Sequence, residues 1–512
     1  MPHRVNTPER VDTARLRISE FLDAHPEWFC TFNGGSTEAL SRREFDIAVA
    51  HGRLILSSWT EKGNRSWKIF SWDLVDGKLL LQASRRLGAE RPLIELVPRS
   101  SATAIALTVK AARQARCELL GQLTSSNVTG SKLERCALSP GARRGQPGRY
   151  ARIILRLRHH RIAITGSVAP SHSSDADSFL AAALLWFKRT SERARPPYIE
   201  HLWLVVGIAM SKPIAQRVAL LRQNLHDVIA VYEVDEQLSE LKPVDIPSRA
   251  DLWKRRLARF PPAMPTESSE ITKRLTGFAP EAIDVVYARH GQTLRYFGMP
   301  FARVRKVMGE ERVWFGVDGS RRRILDRETE NECISLLTDL IEHRSAPAMD
   351  HHHALYRNAG EAWLESLLRR DITRLDPGLI IAPLHAQFRI ARGGAPGVRP
   401  IDLLALRRDG RLAVIELKVT EAREHVFQGA DYWQRVEAHR RRGHIARAKL
   451  FGERKIRNEP PLIYLVAPTL RVHPAFNTLA HFIAPDIEIY RFDINEDWRQ
   501  GVRVMRRVTY TD

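Results

Sequence analysis

Three side chains near the carboxyl end of the chain, Asp402, Glu416 and Lys418, have the types and spacing to assist the hydrolysis of a phosphodiester. Successive side chains of a strand alternate between its faces, so Glu416 and Lys418 would project from one face, about 7 Å apart. Residues 412–415 and Leu417 are apolar, as expected of a strand covered on both sides. A glutamate without a partner would suffer a large desolvation penalty there, and a bound divalent cation would offset it.

The position of Asp402 relative to Glu416 depends on the loop of a predicted β-hairpin. Asp402 begins the preceding strand, and Gly410 marks the turn because glycine accepts the positive φ that hairpin loops require. A two-residue loop ending at Gly410 would put Asp402 opposite Leu417 and separate the two acids. A three-residue loop, residues 408–410, would put Asp402 opposite Glu416. We expect the three-residue loop.

With that register, the hairpin would offer oxygen ligands to a metal ion. The carboxylates of Asp402 and Glu416 and the carbonyl of Leu417 are hard ligands suited to Mg²⁺ or Mn²⁺. Such a metal would polarise the scissile phosphate and lower the pKa of a bound water. Lys418 would position that water or neutralise the negative charge that grows on the phosphate. The residues therefore predict a phosphodiesterase.

This pattern resembles the PD-(D/E)XK nuclease superfamily. Asp402 matches the Asp of the motif, with Ile401 inserted between it and Pro400, and Glu416-Leu417-Lys418 matches its E-x-K. The resemblance implies an α/β fold with a restriction-endonuclease-like core, in which helices flank a mixed sheet. It also implies that Asp402, Glu416 and Lys418 are catalytic.

The resemblance extends to one helix on each side of the hairpin. Upstream, the segment Glu361-Ala-Trp-Leu-Glu365 is predicted to be helical, and either Glu361 or Glu365 would complete the acidic cluster; we place Glu361 among the metal ligands. Downstream, Gln428 and Tyr432 look like the Q-x-x-x-Y of the RecB-like and NucS-like branches, and residues four apart share a helix face. By that resemblance they would orient water or contact the substrate strand. A polar helix face is the alternative.

The length of the chain indicates how many domains it has, and its charge indicates the kind of partner it binds. A chain of 512 residues exceeds the size of one core, so about two to four domains are expected. The net charge of +21 comes largely from arginine, which binds phosphate bidentately and suits a polyanion such as nucleic acid. An arginine-rich sequence can also reflect genomic base composition, so the charge supports the motif and does not replace it.

We predict four parts along the chain. They are a β-rich domain with a meander at 1–115, an α/β domain at 116–245, a linker and mixed α+β segment at 246–345, and the nuclease-like domain at 346–512. In the mixed segment, Arg303, Arg305, Lys306 and residues 321–323 could contact phosphates, but a solvated basic surface is the favoured interpretation.

Residues 152–168 repeat the pattern of the catalytic hairpin at a constant offset. Arg152, Gly166 and Val168 then stand where the three catalytic side chains lie in the later hairpin. We therefore hypothesise that 116–245 is a degenerate second copy of the nuclease-like domain, without a site, and that residues 152–168 form an antiparallel hairpin. A recurring α/β order without shared ancestry is the alternative.

Cysteine usage and hydropathy indicate the compartment. Cys30, Cys117, Cys136 and Cys333 lack C-x-x-C spacing, which argues against a disulfide framework and a zinc ribbon. The chain begins with polar residues, and its longest apolar run, 179–187, is too short to span a bilayer. We expect a cytoplasmic protein that has no membrane partner.

The leading functional hypothesis is a Mg²⁺-dependent deoxyribonuclease, an endonuclease, with DNA chosen over RNA by analogy with the superfamily. The first alternative is a catalytically inactive, nucleic-acid-binding or defence-complex subunit that keeps the fold. The second is an assembly subunit whose charge meets an acidic protein. A homodimer and a place in a defence or repair complex stay open.

Overall fold

The computed structural model describes most of the chain as a mixed α/β protein with a β-rich amino-terminal sheet. The described residues are 3–4, 8–32, 37–60, 63–85, 90–101, 104–141, 147–169, 172–235, 237–254, 267–288, 291–307, 310–317, 322–388 and 401–510. The chain forms two compact units. The first comprises Met1–Ser171, Ser191–Ile208 and Val231–Pro243, and the second comprises His172–Thr190, Ala209–Ala230 and Val244–Asp512.

The amino-terminal part of the first unit is an antiparallel sheet with one helix against it. Its elements are β1 (His3–Arg4), α1 (Pro8–Asp23), β2 (Glu27–Phe32), β3 (Thr37–Ser41), β4 (Phe45–Ala50), β5 (Arg53–Thr60), β6 (Gly63–Val75), β7 (Lys78–Ser84) and β8 (Leu93–Pro98). The strand order is β3-β2-β8-β7-β6-β5-β4, and β1 pairs with β6. Strands β4 to β8 are neighbours in chain order, as expected of a meander. Ile18 and Leu22 of α1 pack in one core with Trp28 and Phe45, so the apolar stripe of the helix covers the sheet.

A second sheet follows, and the boundary expected between residues 115 and 116 lies inside the helix that precedes it. The elements, in chain order, are α2 (Ala104–Ser126), β9 (Lys132–Pro140), β10 (Pro147–Arg156), β11 (Arg161–Ser167), α3 (Ala176–Glu192), β12 (Ile199–Gly207), α4 (Ile208–Val218), α5 (Gln223–His226), β13 (Ile229–Val234) and β14 (Leu241–Val244). The six strands lie in the order β14-β13-β12-β11-β10-β9. Strands β9, β10 and β11 are antiparallel neighbours, and β12 is parallel to β11.

The second unit contains a five-stranded antiparallel sheet, β15-β16-β17-β18-β19. The elements of this region are α6 (Arg249–Lys254), α7 (Glu270–Gly277), β15 (Ile283–Ala288), β16 (Gly291–Tyr296), β17 (Met299–Val307), β18 (Glu310–Phe315), β19 (Arg323–Ile324), α8 (Glu330–His343) and α9 (Ala354–Arg357). Leu337 and Leu340 of α8 pack with Leu294, Phe301 and Val313 of the sheet. The linker expected after residue 246 includes α6, and residues 255–266 lie outside the described part of the chain.

The fourth sheet carries the predicted catalytic hairpin. Its region comprises α10 (Gly360–Arg370), β20 (His385–Phe388), β21 (Ile401–Leu406), β22 (Leu412–Leu417), α11 (His425–Arg441), α12 (His444–Arg447), β23 (Leu462–Pro468), α13 (Phe476–Ala480), β24 (Ile489–Ile494) and β25 (Val504–Tyr510). The order is β20-β21-β22-β23-β24-β25, in which β22, β23 and β24 are parallel and the outer pairs are antiparallel. Every residue of β22 and β23 is buried, because α10 and α11 pack with opposite faces of the sheet.

The second and fourth sheets repeat one plan. In each, a helix precedes three antiparallel strands, and a further helix precedes a fourth strand that is parallel to the third. The antiparallel hairpin that the duplication hypothesis requires is present as β10 and β11. Its register differs, however, since Arg152 pairs with Thr165 and not with Gly166. The reason is a shorter loop, in which the N–H of Leu157 bonds to the carbonyl of His160. Common ancestry stays a hypothesis.

The helices of the described chain carry charged residues. The longest of them, α2, has 23 residues and carries Lys110, Arg113, Arg116 and Glu118 along its length. Charges of this kind are costly in a bilayer core. Within the described ranges, no helix is long and apolar enough to cross a membrane.

Candidate active site

The hairpin of β21 and β22 determines where Asp402 lies relative to Glu416. The two strands are antiparallel. At their ends the backbone N–H of Arg407 donates to the carbonyl of Arg411 at 2.8 Å, and Gly410 has a φ of +88°. The connection is the three-residue loop that the sequence analysis favoured. Continued along the strands, this register puts Asp402 opposite Glu416.

The two faces of this hairpin pack against different helices. The residues in the core with α10 are Leu403, Ala405, Ala413, Ile415 and Leu417. The residues in the core with α11 are Leu404, Leu406, Leu412 and Val414. Asp402 and Glu416 continue the second alternation, so their carboxylates lie on the α11 side of the sheet. The N–H of Leu417 donates to Oδ2 of Asp402 at 2.9 Å, which holds that carboxylate against the hairpin.

Lys418 is the counter-charge of Glu416 on this face. Its Nζ lies 2.7 Å from Oε1 of Glu416 and donates to the carbonyl of Leu417 at 3.2 Å. Both side chains are buried, with Glu416 2% and Lys418 9% exposed. Burial disfavours the charge of Lys418, but the carboxylates of Glu416, Glu361 and Asp402 outweigh burial and raise its pKa. Lys418 is therefore protonated at neutral pH.

Glu416 has more negative charge around it than one lysine neutralises. Its burial, and then the charge of Asp402, raise the pKa of its carboxyl well above the ordinary value, although Lys418 opposes the shift. Oε2 of Glu416 is buried and accepts no hydrogen bond from the described residues. A cation next to Oε2 would favour the ionised form and supply the missing partner.

The oxygen atoms around Glu416 suit a hard divalent cation. The carboxylates of Asp402 and Glu416 and the carbonyl of Leu417 are ligands of the kind that Mg²⁺ and Mn²⁺ prefer. Lys418 lies between Glu416 and Glu361, at 2.7 and 3.6 Å. Across the described ranges, no three His, Cys, Asp or Glu side chains are already arranged as a metal site. A metal would therefore share these carboxylates with the ammonium group.

The two acids of α10 have different neighbours. Oε1 of Glu361 lies 3.6 Å from Nζ of Lys418. Glu365, one turn later, is buried, and its Oε1 lies 3.7 Å from Nη1 of Arg295 on β16. A buried carboxylate beside a guanidinium is already compensated. Glu361 thus contacts Lys418 of the predicted site, and Glu365 contacts Arg295.

Gln428 and Tyr432 lie one turn apart on α11 and are both buried. The hydroxyl of Tyr432 is near enough to the acidic pair that burial and the charges of Glu416 and Asp402 raise its pKa. Oε1 of Gln428 is buried and has no hydrogen-bond donor among the described residues. Tyr432 therefore lies near Glu416 and Asp402. On the same helix, Oε1 of Gln428 has no hydrogen-bond donor among the described residues.

His425 is a member of this cluster that the sequence analysis did not identify. It begins α11 and is buried, and its Nε2 donates to the backbone carbonyl of Glu416 at 3.2 Å. Burial, and then the charge of Lys418, lower the pKa of His425 to about 3, so the ring is neutral. Its spacing of three residues before Gln428 places both on one helix face, which was a usable signal.

Arg344 positions the start of the helix that carries Glu361. It is fully buried, and its guanidinium lies 4.7 Å from the ring of Trp363 on α10. Five backbone carbonyls accept its hydrogen bonds: those of Tyr296, Phe297, Leu355, Asn358 and Ala359. Burial, and then the charge of Arg499, lower the pKa of Arg344 to about 9, which leaves it protonated at neutral pH. It joins the five-stranded sheet to the first turn of α10.

Comparisons with known proteins give one weak similarity. No protein-family model matches the sequence, and no curated protein matches it. Among solved structures, EndoMS in its apo form is similar to this chain with a TM-score of 0.16 and 10% sequence identity, over 46% of this chain and 97% of that chain. A TM-score of 0.16 does not establish a shared fold.

Proposed function

We propose that this chain is a metal-dependent nuclease that hydrolyses phosphodiester bonds within nucleic acid. The observation that carries the proposal is the buried carboxylate of Glu416 beside the half-buried Asp402. Oε2 of Glu416 has no hydrogen-bond donor among the described residues, while Nζ of Lys418 lies 2.7 Å from Oε1. Burying several charges at one point costs stability, and such clusters of perturbed groups are typical of functional sites.

The positions of the side chains support the following roles. Asp402, Glu416, the carbonyl of Leu417 and Glu361 would hold Mg²⁺ or Mn²⁺. When bound, the metal would act as a Lewis acid toward the phosphate and lower the pKa of a water. Lys418, which carries a proton, would neutralise charge that develops on the phosphate oxygens.

Residues of α11 would complete the site. Neutral His425 would hold the backbone of β22 through the carbonyl of Glu416. Gln428 and Tyr432 would orient water or contact the substrate strand, in keeping with the buried, unpaired Oε1 of Gln428.

We infer DNA as the substrate from the resemblance to PD-(D/E)XK nucleases. The net charge of +21 supports a polyanionic substrate without distinguishing DNA from RNA. A dimer or a larger complex is compatible with this function and would decide between nicking and cutting both strands.

The test is cleavage of labelled single- and double-stranded DNA and RNA with Mg²⁺ or Mn²⁺ and with chelator. We expect metal-dependent cutting by the wild type that falls by about a hundredfold or more in Glu416→Gln and Lys418→Met. Glu365→Gln is the matched control, because Glu365 faces Arg295 and should be dispensable for chemistry. Metal-dependent cleavage of nucleic acid by Glu416→Gln at the wild-type rate would contradict the proposal.

A nucleic-acid-binding protein without turnover is the second candidate. The position of Lys418, which already bridges Glu361 and Glu416, favours it, because an ammonium group can serve as the permanent counter-charge of these acids. Salt-sensitive binding of every substrate, with no cutting in either metal, would support this candidate.

A further inference from the structure

The sheet β15–β19 has an apolar face and a basic face. The residues of its apolar face that pack in the core with α8 are Leu294, Tyr296, Phe301, Val304, Val313 and Phe315. Phe301 lies at a register shift between β16 and β17, and regular alternation begins after it. Arg303 and Arg305 then alternate with Ala302 and Val304, and Arg312 and Trp314 alternate with Val313 and Phe315, so these four side chains belong to the opposite face. Because β17 and β18 are neighbours, these four side chains form one surface.

Positive charges lie directly opposite one another on this surface. Arg305 pairs with Arg312 across β17 and β18, which puts their Cβ atoms about 5 Å apart. Like charges in such a pair destabilise a sheet. Arg322, which precedes β19, is also close, because burial and then the charges of Arg303 and Arg305 lower its pKa. We name Arg303, Arg305, Arg312, Arg322 and Trp314 the arginine face.

The one carboxylate of β18 that shares this face, Glu310, lies at the strand end two positions before Arg312 and forms no ion pair with it. None of the ion pairs formed among the described residues involves an arginine of the arginine face. The Nε atoms of Arg303 and Arg322 are buried and have no hydrogen-bond acceptor in the described part of the chain. Buried donors without acceptors cost free energy, so an anion that reached them would be bound with a net gain.

Other basic residues of this region lie opposite or beside a carboxylate, or lie elsewhere. Lys306 is directly opposite Glu311, and Arg323 forms an ion pair with Glu332. Arg321, which the sequence analysis grouped with Arg323, lies outside the described residues. The uncompensated charge of the described sheet is thus concentrated on the arginine face.

The arginine face continues toward the candidate active site. Arg295 of β16 lies one strand away from Arg303 and contacts Glu365 of α10 at 3.7 Å. The charge of Arg369, on the same helix, also reaches Arg295 and contributes to lowering its pKa, after burial. The first turn of α10 carries Glu361, so one helix connects both regions.

We propose that the arginine face binds the sugar–phosphate backbone of a nucleic-acid strand. Arginine pairs bidentately with phosphate, and strand geometry spaces these side chains by about 5 Å across the sheet and about 7 Å along it, so several phosphates are within reach. Trp314 is half-buried among them and offers a ring on which a base can stack. The proposal rests on the proposed function only in taking nucleic acid as the ligand, since binding here requires no cleavage.

The experiment measures binding of fluorescent single- and double-stranded DNA and single-stranded RNA by anisotropy, over a range of salt concentrations. Proteins carry Glu416→Gln, and the buffer contains chelator, so that nothing is cut. We expect the double variant Arg305→Gln/Arg312→Gln to weaken binding of at least one of these nucleic acids about tenfold near 0.1 M salt and to reduce the slope of log K against log salt by about 2. Thermal unfolding should occur at the same or a higher temperature, because a like-charge pair is removed.

The matched control is Lys306→Gln/Arg323→Gln, which removes the same charge from the same sheet. We expect it to change affinity by less than about threefold, since screened charges away from the binding surface contribute little. Equal weakening in both double variants would mean that only net charge matters and would overturn the proposal. Unchanged binding in Arg305→Gln/Arg312→Gln would also overturn it.

Cleavage by the otherwise unmodified chain separates this proposal from the proposed function. If Arg305→Gln/Arg312→Gln loses binding but the wild type cuts nothing, the arginine face stands and the nuclease fails. If the wild type cuts and the double variant binds and cuts equally well, the nuclease stands and the arginine face fails.

Discussion

Nζ of Lys418 and Oε1 of Glu416 lie 2.7 Å apart on one face of a strand whose residues are all buried. Each charge is therefore the main compensation of the other, and Glu361 and Asp402 add further negative charge around Lys418. An excess of carboxylates over ammonium groups means that the two partners are not equivalent. Removing the lysine increases the imbalance, and removing one carboxylate reduces it.

This asymmetry predicts opposite effects on stability. In chelator, Lys418→Met should lower the free energy of unfolding by about 3 to 5 kcal/mol, because it leaves the buried carboxylate of Glu416 without its counter-charge. Glu416→Gln should leave it unchanged or raise it, since Lys418 keeps Glu361 as a partner. Urea denaturation followed by circular dichroism measures both. Equal destabilisation by the two substitutions would contradict the prediction.

The two acids of α10 should differ in their effect on metal dependence. Glu361→Gln should raise the Mn²⁺ concentration needed for half-maximal cleavage, because it removes a carboxylate next to Lys418. Glu365→Gln should keep the metal requirement and lose stability, since it leaves Arg295 without its buried partner. Metal titrations of cleavage and of the unfolding temperature give the two readouts. An identical metal requirement in wild type and Glu361→Gln would exclude Glu361 as a ligand.

Arg344 should be intolerant of lysine. Arg344→Lys cannot supply donors to five carbonyls, so we expect a loss of about 3 kcal/mol or more in the free energy of unfolding, and reduced activity because the start of α10 is no longer held. Arg374→Lys is the control, because Arg374 is largely exposed and its pair with Asp371 should contribute less than about 1 kcal/mol. Chemical denaturation of the two variants side by side measures the difference. Similar free energies of unfolding would refute the positioning role of Arg344.

Stability should fall in mild acid because of His439. Burial, and then the charges of His444 and Arg442, lower the pKa of His439 to about 4, so the folded chain binds fewer protons than the unfolded chain between that value and about 6.5. A lowered histidine pKa contributes stability that is present above pH of about 6.5 and is lost as the pH falls toward 4, up to about 3 kcal/mol.

Comparison with His439→Gln isolates this contribution from that of His425. The free energy of unfolding of His439→Gln should depend less steeply on pH between about 4 and 6.5, because glutamine takes up no proton. Parallel pH profiles for wild type and variant would show that His439 does not carry the effect.

Local rules were enough to predict the hairpin of β21 and β22 from the sequence. The alternation of apolar residues predicts β22, and Gly410, with its φ of +88°, predicts the turn. The choice between two loop lengths was correct, yet the residues permitted both, because a hairpin of either length satisfies the same local preferences. Only the pairing of β21 with β22 in the structure determines the register.

The tertiary structure decided which side chains meet the hairpin. Glu361 and Glu365 share one helix and one residue type, and only the packing of α10 between two sheets sends one toward Lys418 and the other toward Arg295. Arg344 has no motif to mark it, and His425 is marked only by its spacing of three residues before Gln428.

Contacts between elements that are distant in sequence could not be predicted from the sequence. The arginine face exists because β17 and β18 are neighbours in the sheet. The domain boundary expected at residue 115 lies inside α2, because composition does not show where a helix continues. Residue types and their period determine elements and candidate chemistry. Contacts between elements distant in sequence determine burial, partners and protonation, which only the folded chain possesses.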